Sequence, residues 1–291
     1  MSAEPRTPES AGEIPPEQVG PPGADASDGR AAARRRFRRQ VWLAWLVLLC
    51  LLAAAFYGLH LDFGYVLQKL PYLIGVRLAP NGFIQGAALT LFVTACSMVF
   101  ALIVALLTAL GRMSKNPIAF AAATFYASLF RGTPLLVQVL IIYLALPQIG
   151  IVLGALSSGL IALSLNYGAY LAETIRSGMM SIPAGQQDAA RALAMPQWLI
   201  IWKVTAPQAL RLIIPPAGAQ FVSMLKDSSL VSLMGLWELN FLAQSYARST
   251  YHYMEMLIAA ALIYWAMSIC FEIVQIRLER RFGKGVDSAG R

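Results

Sequence analysis

Four ionisable residues lie within or beside long apolar stretches of this sequence: Arg131, Glu173, Lys226 and Asp227. Ionisable side chains at membrane depth are energetically costly and usually have a function. A zwitterionic solute presents groups of both charges, such as one carboxylate and one ammonium group, so a pathway lined by both signs of charge suits such a solute. In this interpretation Arg131 meets the carboxylate and Glu173 meets the ammonium group.

The same residues also allow a structural interpretation, in which they pair with one another or with backbone groups at helix bends. Lys226 and Asp227 are adjacent, so on a regular helix they point in different directions. Uncharged polar residues are further candidates to line the pathway, although tyrosine and serine are common in packed helices. These candidates are Asn166, Tyr170 and Ser228.

The sequence contains no recognisable catalytic or metal-binding constellation. It has no Gly-x4-Gly-Lys-Ser/Thr phosphate loop. His60 and His252 fall at predicted helix ends, far apart in sequence, without an obvious nucleophilic partner. Cys50, Cys96 and Cys270 each lie inside an apolar run, which is not the pattern of a disulfide framework. We therefore expect no catalytic site, no bound metal and no cofactor in this chain.

The composition indicates a membrane protein. The chain is 58% hydrophobic and 13% charged, with a mean hydropathy of +0.60, whereas soluble domains are about 45–50% apolar and about 25% charged. Its net charge of +8 comes largely from basic residues at the ends of apolar runs, which favours a topological role over nucleic-acid binding. Six runs are long enough to cross a bilayer: 41–59, 86–110, 118–146 (with room to bend at Gly132-Thr133-Pro134), 156–175, 210–242 (interrupted at 226–229) and 254–276.

The basic residues predict the orientation. Arg34 to Arg39 precede the first run, which places the N-terminus in the cytoplasm, and six crossings return the C-terminus there. The alternative for the first run is a cleaved secretion signal. The predicted segments are a disordered cytoplasmic tail with a basic end (1–40), a first transmembrane helix (41–59), a periplasmic loop or short interfacial helix (60–81) and a basic cytoplasmic tail (279–291).

The segment 176–207 is predicted to be cytoplasmic, and its composition differs from that of a flexible linker. Residues 187–194 favour a helix, Pro196 forces a turn, and a second amphipathic stretch covers 198–204. The pattern predicts two short helices joined at a corner, a shape suited to a groove on a cytoplasmic partner. The alternative is a passive interfacial helix anchored by two tryptophans.

This segment resembles the signature loop of ABC importer permeases: Glu-Ala-Ala, three residues, Gly, nine residues, Ile, one residue, Leu-Pro. The spacing matches at Asp188, Ala189, Ala190, Ala194, Val204, Ala206 and Pro207. Asp replaces Glu, Val replaces Ile and Ala replaces Leu. Ala also replaces Gly at Ala194, which removes the freedom that glycine has at a tight turn. Four further stretches resemble motifs of polar-amino-acid permeases: 130–136, 168–173, 181–186 and 226–232.

The resemblance spans residues 82–278 and implies a type-1 ABC permease domain, with a coupling loop at about 183–207. It implies a five-helix core, to which the first transmembrane helix is an addition. It also implies dimerisation with a second permease subunit, two ATPase subunits that bind ATP, an external solute-binding protein, and residence in the bacterial inner membrane. The coupling residues would be Gly185, Gln186, Asp188, Ala189, Ala190, Ala194 and Pro207.

Other functions fit the sequence less well. A secondary transporter needs an internal inverted repeat and its own ion site, and the first half shows no repeat of the broken-helix pattern. A channel needs a filter loop, and none is recognisable. A membrane anchor without transport activity would not explain the segment 176–207. The sequence leaves open which polar amino acid is carried and whether the permease pair is a homodimer or a heterodimer.

Overall fold

The computed structural model describes residues 24–58, 61–79 and 82–282, with side chains from Arg35 to Arg281 within these ranges. The chain divides into two compact units, residues 1–61 and residues 62–291. The regular elements among the described residues are helices, joined by short turns and loops, apart from a single bridge between Gly86 and Glu238. The helices are α1 Ala24–Gly58, α2 Phe63–Ile74, α3 Gly86–Met113, α4 Pro117–Gly132, α5 Leu135–Leu140, α6 Ala155–Met180, α7 Ala184–Ala192, α8 Gln197–Ile200, α9 Ala206–Asp227, α10 Leu239–Thr250 and α11 Tyr253–Phe282.

Helix α1 is the regular element of the first unit. It begins at Ala24, so residues 24–40 are helical where the sequence predicts a disordered tail. The alanines and arginines before Val41 are strong helix formers, which explains this correction. Its portion Arg35–Gly58 is apolar and long enough to span a bilayer. The predicted disorder of residues 1–23 lies outside the described residues.

Helices α3 and α6 form the centre of the second unit. Both present small residues to each other, and Ala101, Ala105 and Ala162 are fully buried in the main core cluster. Gly168 of α6 leaves room for the neighbouring helices, because a Cβ there would lie 3.0 Å from Val104 of α3. Small residues let membrane helices approach closely, so these positions set the tight central packing.

The apolar run 118–146 is broken, as the sequence predicts. Helix α4 ends at Gly132, helix α5 begins at Leu135, and the two helices meet at an angle of 103°. Pro134 cannot continue a helical ladder, and it disfavours helical backbone at Thr133. A π turn at Ile141–Ala145 and a 3-10 turn at Leu146–Ile149 then complete the segment.

The predicted span 210–242 is not one helix. Helix α9 ends at Asp227 and continues as a 3-10 turn over Ser228–Met234, and Gly235 then closes the segment with a φ of 76°. Helix α10 begins after Glu238, whose carboxylate accepts a hydrogen bond from the Phe241 N–H at 2.7 Å. The sequence predicts an interruption at 226–229, and the change of helix type falls there. Hydropathy does not register the Glu238 cap, which is why the predicted span runs on to residue 242.

The predicted loop 60–81 contains helix α2. Asp62 caps its N-terminus by accepting from the Tyr65 N–H at 3.0 Å, and Gly75 ends it in the left-handed conformation. Leu73 is fully buried in a second core cluster with Leu239 and Met256. The helix therefore packs with α10 and α11. The predicted start of the permease domain at residue 82 would leave α2 outside the unit with which it packs.

By length and composition, three helices of the described residues can cross a membrane: α1, α3 and α11. The bent pair Pro117–Gly132 and Leu135–Ile149 adds a fourth if it is one span. The all-α membrane fold is thereby confirmed, and the count of six spans stays a prediction. Helix α6 covers the run 156–175 and extends through Arg176 to Met180, beyond the predicted limit.

Candidate functional site

A polar cleft of about 490 Å³ opens where the α4–α5 bend meets α6 and α9. Arg131 and the bend form one side, α6 contributes Tyr167 and Tyr170, and α9 contributes Asp227. The remaining lining residues are Gly132, Thr133, Pro134, Leu135, Asn166, Gln220 and Ser223. The cleft thus brings together residues from four helices, including four of the seven residues that the sequence predicts for a solute pathway.

Buried amides hold the bend beside this cleft. Gln138 donates from its Nε2 to the Phe130 carbonyl at 2.9 Å and to the Thr133 Oγ1 at 2.8 Å. Asn166 donates from its Nδ2 to the Gln138 Oε1 at 3.1 Å and to the Phe130 carbonyl at 3.2 Å. Only 5% of Asn166 is exposed. Its amide therefore satisfies backbone groups that the bend frees, although the residue also borders the cleft.

Glu173 lies among three arginines rather than open to the cleft. Its Oε2 accepts from Arg112 and, at 3.2 Å, from Arg131. Its Oε1 accepts from the Arg176 Nη2 at 2.5 Å. The structural interpretation of Glu173 therefore agrees with the geometry. The guanidinium of Arg131 also lies 5.6 Å from the centre of the Tyr170 ring, a cation–π contact at the edge of the cleft.

The two adjacent charges of α9 diverge, as expected for neighbouring helix positions. Asp227 lines the cleft and accepts from the Tyr167 hydroxyl at 2.7 Å. Lys226 is exposed and does not border the cleft. Ser228 is buried, and its hydroxyl donates to the Leu225 carbonyl at 2.7 Å. Lys226 and Ser228, like Glu173, are thus outside the cleft that the other four candidates share.

Three lining residues escaped the sequence analysis: Tyr167, Gln220 and Ser223. Helical spacing could have found them. Tyr167 precedes Tyr170 by three positions, and Gln220, Ser223 and Asp227 follow an i, i+3, i+7 pattern on one face of α9. Gln220 donates to the Thr174 Oγ1 at 2.8 Å, which links α9 to α6 below the cleft.

The predicted helix–corner–helix is present as α7 and α8, and we call residues 184–200 the α7–α8 corner. Helix α7 ends in a Schellman arrangement: the Met195 N–H donates to the Ala190 carbonyl at 3.2 Å, and the Ala194 N–H donates to the Arg191 carbonyl at 2.9 Å. Ala194 has a φ of 54°, in the left-handed region. The permease motif has glycine at this position, and Ala194 adopts the left-handed conformation that glycine would favour.

The outer surface of the corner is open, and it carries polar side chains beside the exposed Leu193 and Trp198. Asp188 and Arg191 form an exposed ion pair at 2.8 Å. Gly185, Gln186 and Ala189 are exposed as well. Ala190 is the exception: it is 5% exposed and packs inward. A surface of this kind offers a convex, largely preformed contact face to another macromolecule.

Pro207 is placed by a local change of helix type. Residues Ile201–Thr205 form a π turn, and the Ala206 N–H donates to the Ile201 carbonyl. Proline has no N–H and its ring clashes with the carbonyl four residues earlier, so a widened turn accommodates it. The helix consequently continues from α8 into α9, whereas the sequence predicts a separate short helix over 198–204.

A helical membrane bundle that combines a polar cleft with an exposed corner is the architecture of a membrane transport component. Residues 98–284 match the family described as binding-protein-dependent transport system inner membrane component. This match covers more than half of the chain, and the chain belongs to that family. The resemblance stated from the sequence motifs is therefore confirmed at the level of family and fold.

Individual relatives agree with this assignment. The L-cystine transport system permease protein TcyB of Bacillus subtilis is 40% identical over 203 residues, 69% of this chain and 86% of the relative. The arginine transport system permease protein ArtQ of the same organism is 32% identical over 224 residues, 77% of this chain and 98% of the relative. A crystal structure of an amino acid ABC transporter with histidines superposes with a TM-score of 0.69 at 35% identity, covering 76% of this chain and 99% of that chain.

Proposed function

We propose that this chain is the membrane-spanning permease subunit of an ATP-driven importer that moves polar amino acids across the bacterial inner membrane. The observation that carries this proposal is the cleft with one guanidinium, Arg131, and one carboxylate, Asp227, on its lining. These two charges match the two charges of an amino-acid zwitterion. The names of relatives that transport cystine and arginine support the same class of solute.

The cleft suggests a division of roles. Arg131 binds the solute carboxylate, and Asp227 binds the ammonium group in place of Glu173, because three arginines already occupy the Glu173 carboxylate. Tyr170 and Asn166 border the solute. The main role of Asn166 is to fix the bend through its hydrogen bond to Gln138. Lys226 and Ser228 act outside the cleft, on the α9 side of the pathway.

The α7–α8 corner is the proposed coupling element. Gly185, Gln186, Asp188 and Ala189 would contact a separate ATPase subunit, Ala190 and Ala194 would hold the corner in shape, and Pro207 would link it to α9. In this assignment ATP is bound and hydrolysed by the partner, so this chain is not itself catalytic and needs no cofactor. The complex contains two permease subunits, two ATP-binding subunits and a periplasmic solute-binding protein.

The proposed placement follows the basic residues. Both termini are cytoplasmic, with residues 279–291 as a basic tail, and the α7–α8 corner lies on the same side. The permease domain is assigned to about 82–278, with α2 added to it and with α1 as an extra transmembrane helix. Protease accessibility of tags at either terminus in sealed inverted vesicles tests this orientation.

Reconstituted complexes test the function. We expect co-purification with an ATPase subunit, and amino-acid uptake into liposomes driven by ATP and the binding protein. Asp227→Asn should lower uptake at least about tenfold, because it removes one charge contact, while capture by the binding protein stays unchanged. Lys226→Gln, one position away but outside the cleft, is the matched control.

A second pair of variants separates docking from solute binding. Asp188→Trp should abolish ATP-driven uptake by blocking the docking surface, whereas Asp188→Asn should retain most of it. Uptake that persists without any ATPase would instead support a secondary transporter. Absence of both ATPase association and uptake would leave a membrane anchor as the function.

A further inference from the structure

A second pocket, of about 440 Å³, adjoins the cleft at Arg131. It is lined by Arg112, Thr124, Ala127, Ser128, Arg131, Gly132 and Tyr170, and none of these described residues is acidic. We call it the arginine pocket. It shares Arg131, Gly132 and Tyr170 with the cleft, but none of the residues from α9.

The wall formed by α4 presents hydrogen-bonding groups along one stripe. Thr124, Ser128 and Arg131 are spaced i, i+4, i+7, so their side chains lie on the same face of the helix. Arg112 reaches the same pocket from the end of α3. Two hydroxyl groups and two guanidinium groups therefore converge from two helices.

Two of these groups lack partners among the described residues. The Nε of Arg112 and the Oγ1 of Thr124 are buried and have no hydrogen-bond partner. Buried polar atoms without partners are rare in folded proteins and call for an explanation. The Arg112 group is a donor only, and a hydroxyl donates as readily as it accepts, so an acceptor ligand would satisfy both atoms.

The charges beside the pocket do not balance. Arg112, Arg131 and Arg176 share the single carboxylate of Glu173, so these four side chains together carry two positive charges in excess. An excess of one sign of charge in a partly enclosed site attracts ions of the opposite sign. Arginine is also the side chain best suited to bind a carboxylate or similar anion through several donors.

We propose that the arginine pocket binds a small monovalent anion, held by Arg112, Arg131, Thr124 and Ser128. The shared chemistry is one negative charge with several hydrogen-bond acceptor directions. It can come from an inorganic halide or from a carboxylate group. This site goes beyond the proposed function, because it needs neither the ATPase nor the amino-acid solute.

Thermal unfolding of the purified chain in zwitterionic lipid nanodiscs tests this proposal. Sodium bromide or sodium acetate replaces sodium isethionate, whose anion is neither a halide nor a carboxylate, at constant ionic strength. We expect a saturable rise in Tm of about 5 °C or more at concentrations a hundred times the Kd. Thr124→Val and Ser128→Ala should each lower the affinity for the anion at least about tenfold, because each variant loses one hydrogen bond to a charged group.

Thr250→Val on α10 is the matched control. It removes a hydroxyl that donates only to the Tyr246 carbonyl among its described contacts. The anion should raise the Tm of this variant as much as that of the original chain. A response to bromide identifies an inorganic anion, and a response to acetate alone identifies a carboxylate. No saturable response to either, or an equal response in the Thr124 and Ser128 variants, overturns the proposal. Because no transport occurs in this assay, its failure would leave the proposed permease function untouched.

Discussion

The cleft with its arginine cluster and the α7–α8 corner use ionisable residues in opposite ways. Beside the cleft, one carboxylate at Glu173 joins arginines from three helices, and the side chains are partly withdrawn from solvent. At the corner, Asp188 and Arg191 pair within one helix, and both are more than half exposed. The first arrangement fixes helices relative to one another, whereas the second leaves its charges available to a partner.

Glu173→Gln should give the largest loss of stability. The substitution leaves three guanidinium groups without their shared carboxylate, and because these side chains are only partly exposed we expect a loss of about 2–3 kcal/mol. Asp188→Asn is the matched control at the corner, where an exposed pair contributes about 0–1 kcal/mol. Denaturant or thermal unfolding of both variants measures the difference. Equal losses at the two sites would contradict the comparison.

A smaller effect is expected at the bend. Gln138→Leu keeps the side-chain volume but removes the donor to the Phe130 and Thr133 carbonyls and one acceptor of the Asn166 amide, at a cost of about 1–2 kcal/mol. Gln208→Leu is the control, because Gln208 donates only to the Val204 carbonyl among its described contacts, and less than about 1 kcal/mol should be lost. Unfolding curves, with hydrogen exchange across residues 130–138, check both values.

The comparison also explains what the sequence could predict. Long apolar runs locate α3, α6 and α11 to within a few residues, and Gly132-Thr133-Pro134 predicts the bend because its backbone restrictions are local. The corner is predictable for the same reason, since Pro196 and the helix-forming residues before it are neighbours. The sequence does not decide between a loop and a short helix at α2, because an amphipathic helix gives no long apolar run.

Contacts between residues that are far apart in the sequence could not be predicted from their spacing. Arg112 and Glu173 are 61 positions apart, so spacing gives no indication that they meet. Glu238 shows the same limit: it is 1% exposed, caps α10, and accepts from the Tyr264 hydroxyl at 2.7 Å and the Thr90 hydroxyl at 3.3 Å. Tertiary packing alone makes this carboxylate the link between α3, α10 and α11.

The smallest effect should appear at the corner and should have the opposite sign. Ala194 has a φ of 54°, a conformation that strains any residue with a Cβ by about 1–2 kcal/mol. Ala194→Gly relieves this strain but makes the unfolded chain more flexible, so a net gain of about 0.5–1 kcal/mol is expected in unfolding experiments. Ala192→Gly, two residues earlier at the last helical position of α7, should instead lose about 0.5–1 kcal/mol. Opposite signs at neighbouring alanines would show that backbone conformation, rather than side-chain contact, determines the shape of the corner, whereas losses at both positions would mean that Ala194 is held by packing.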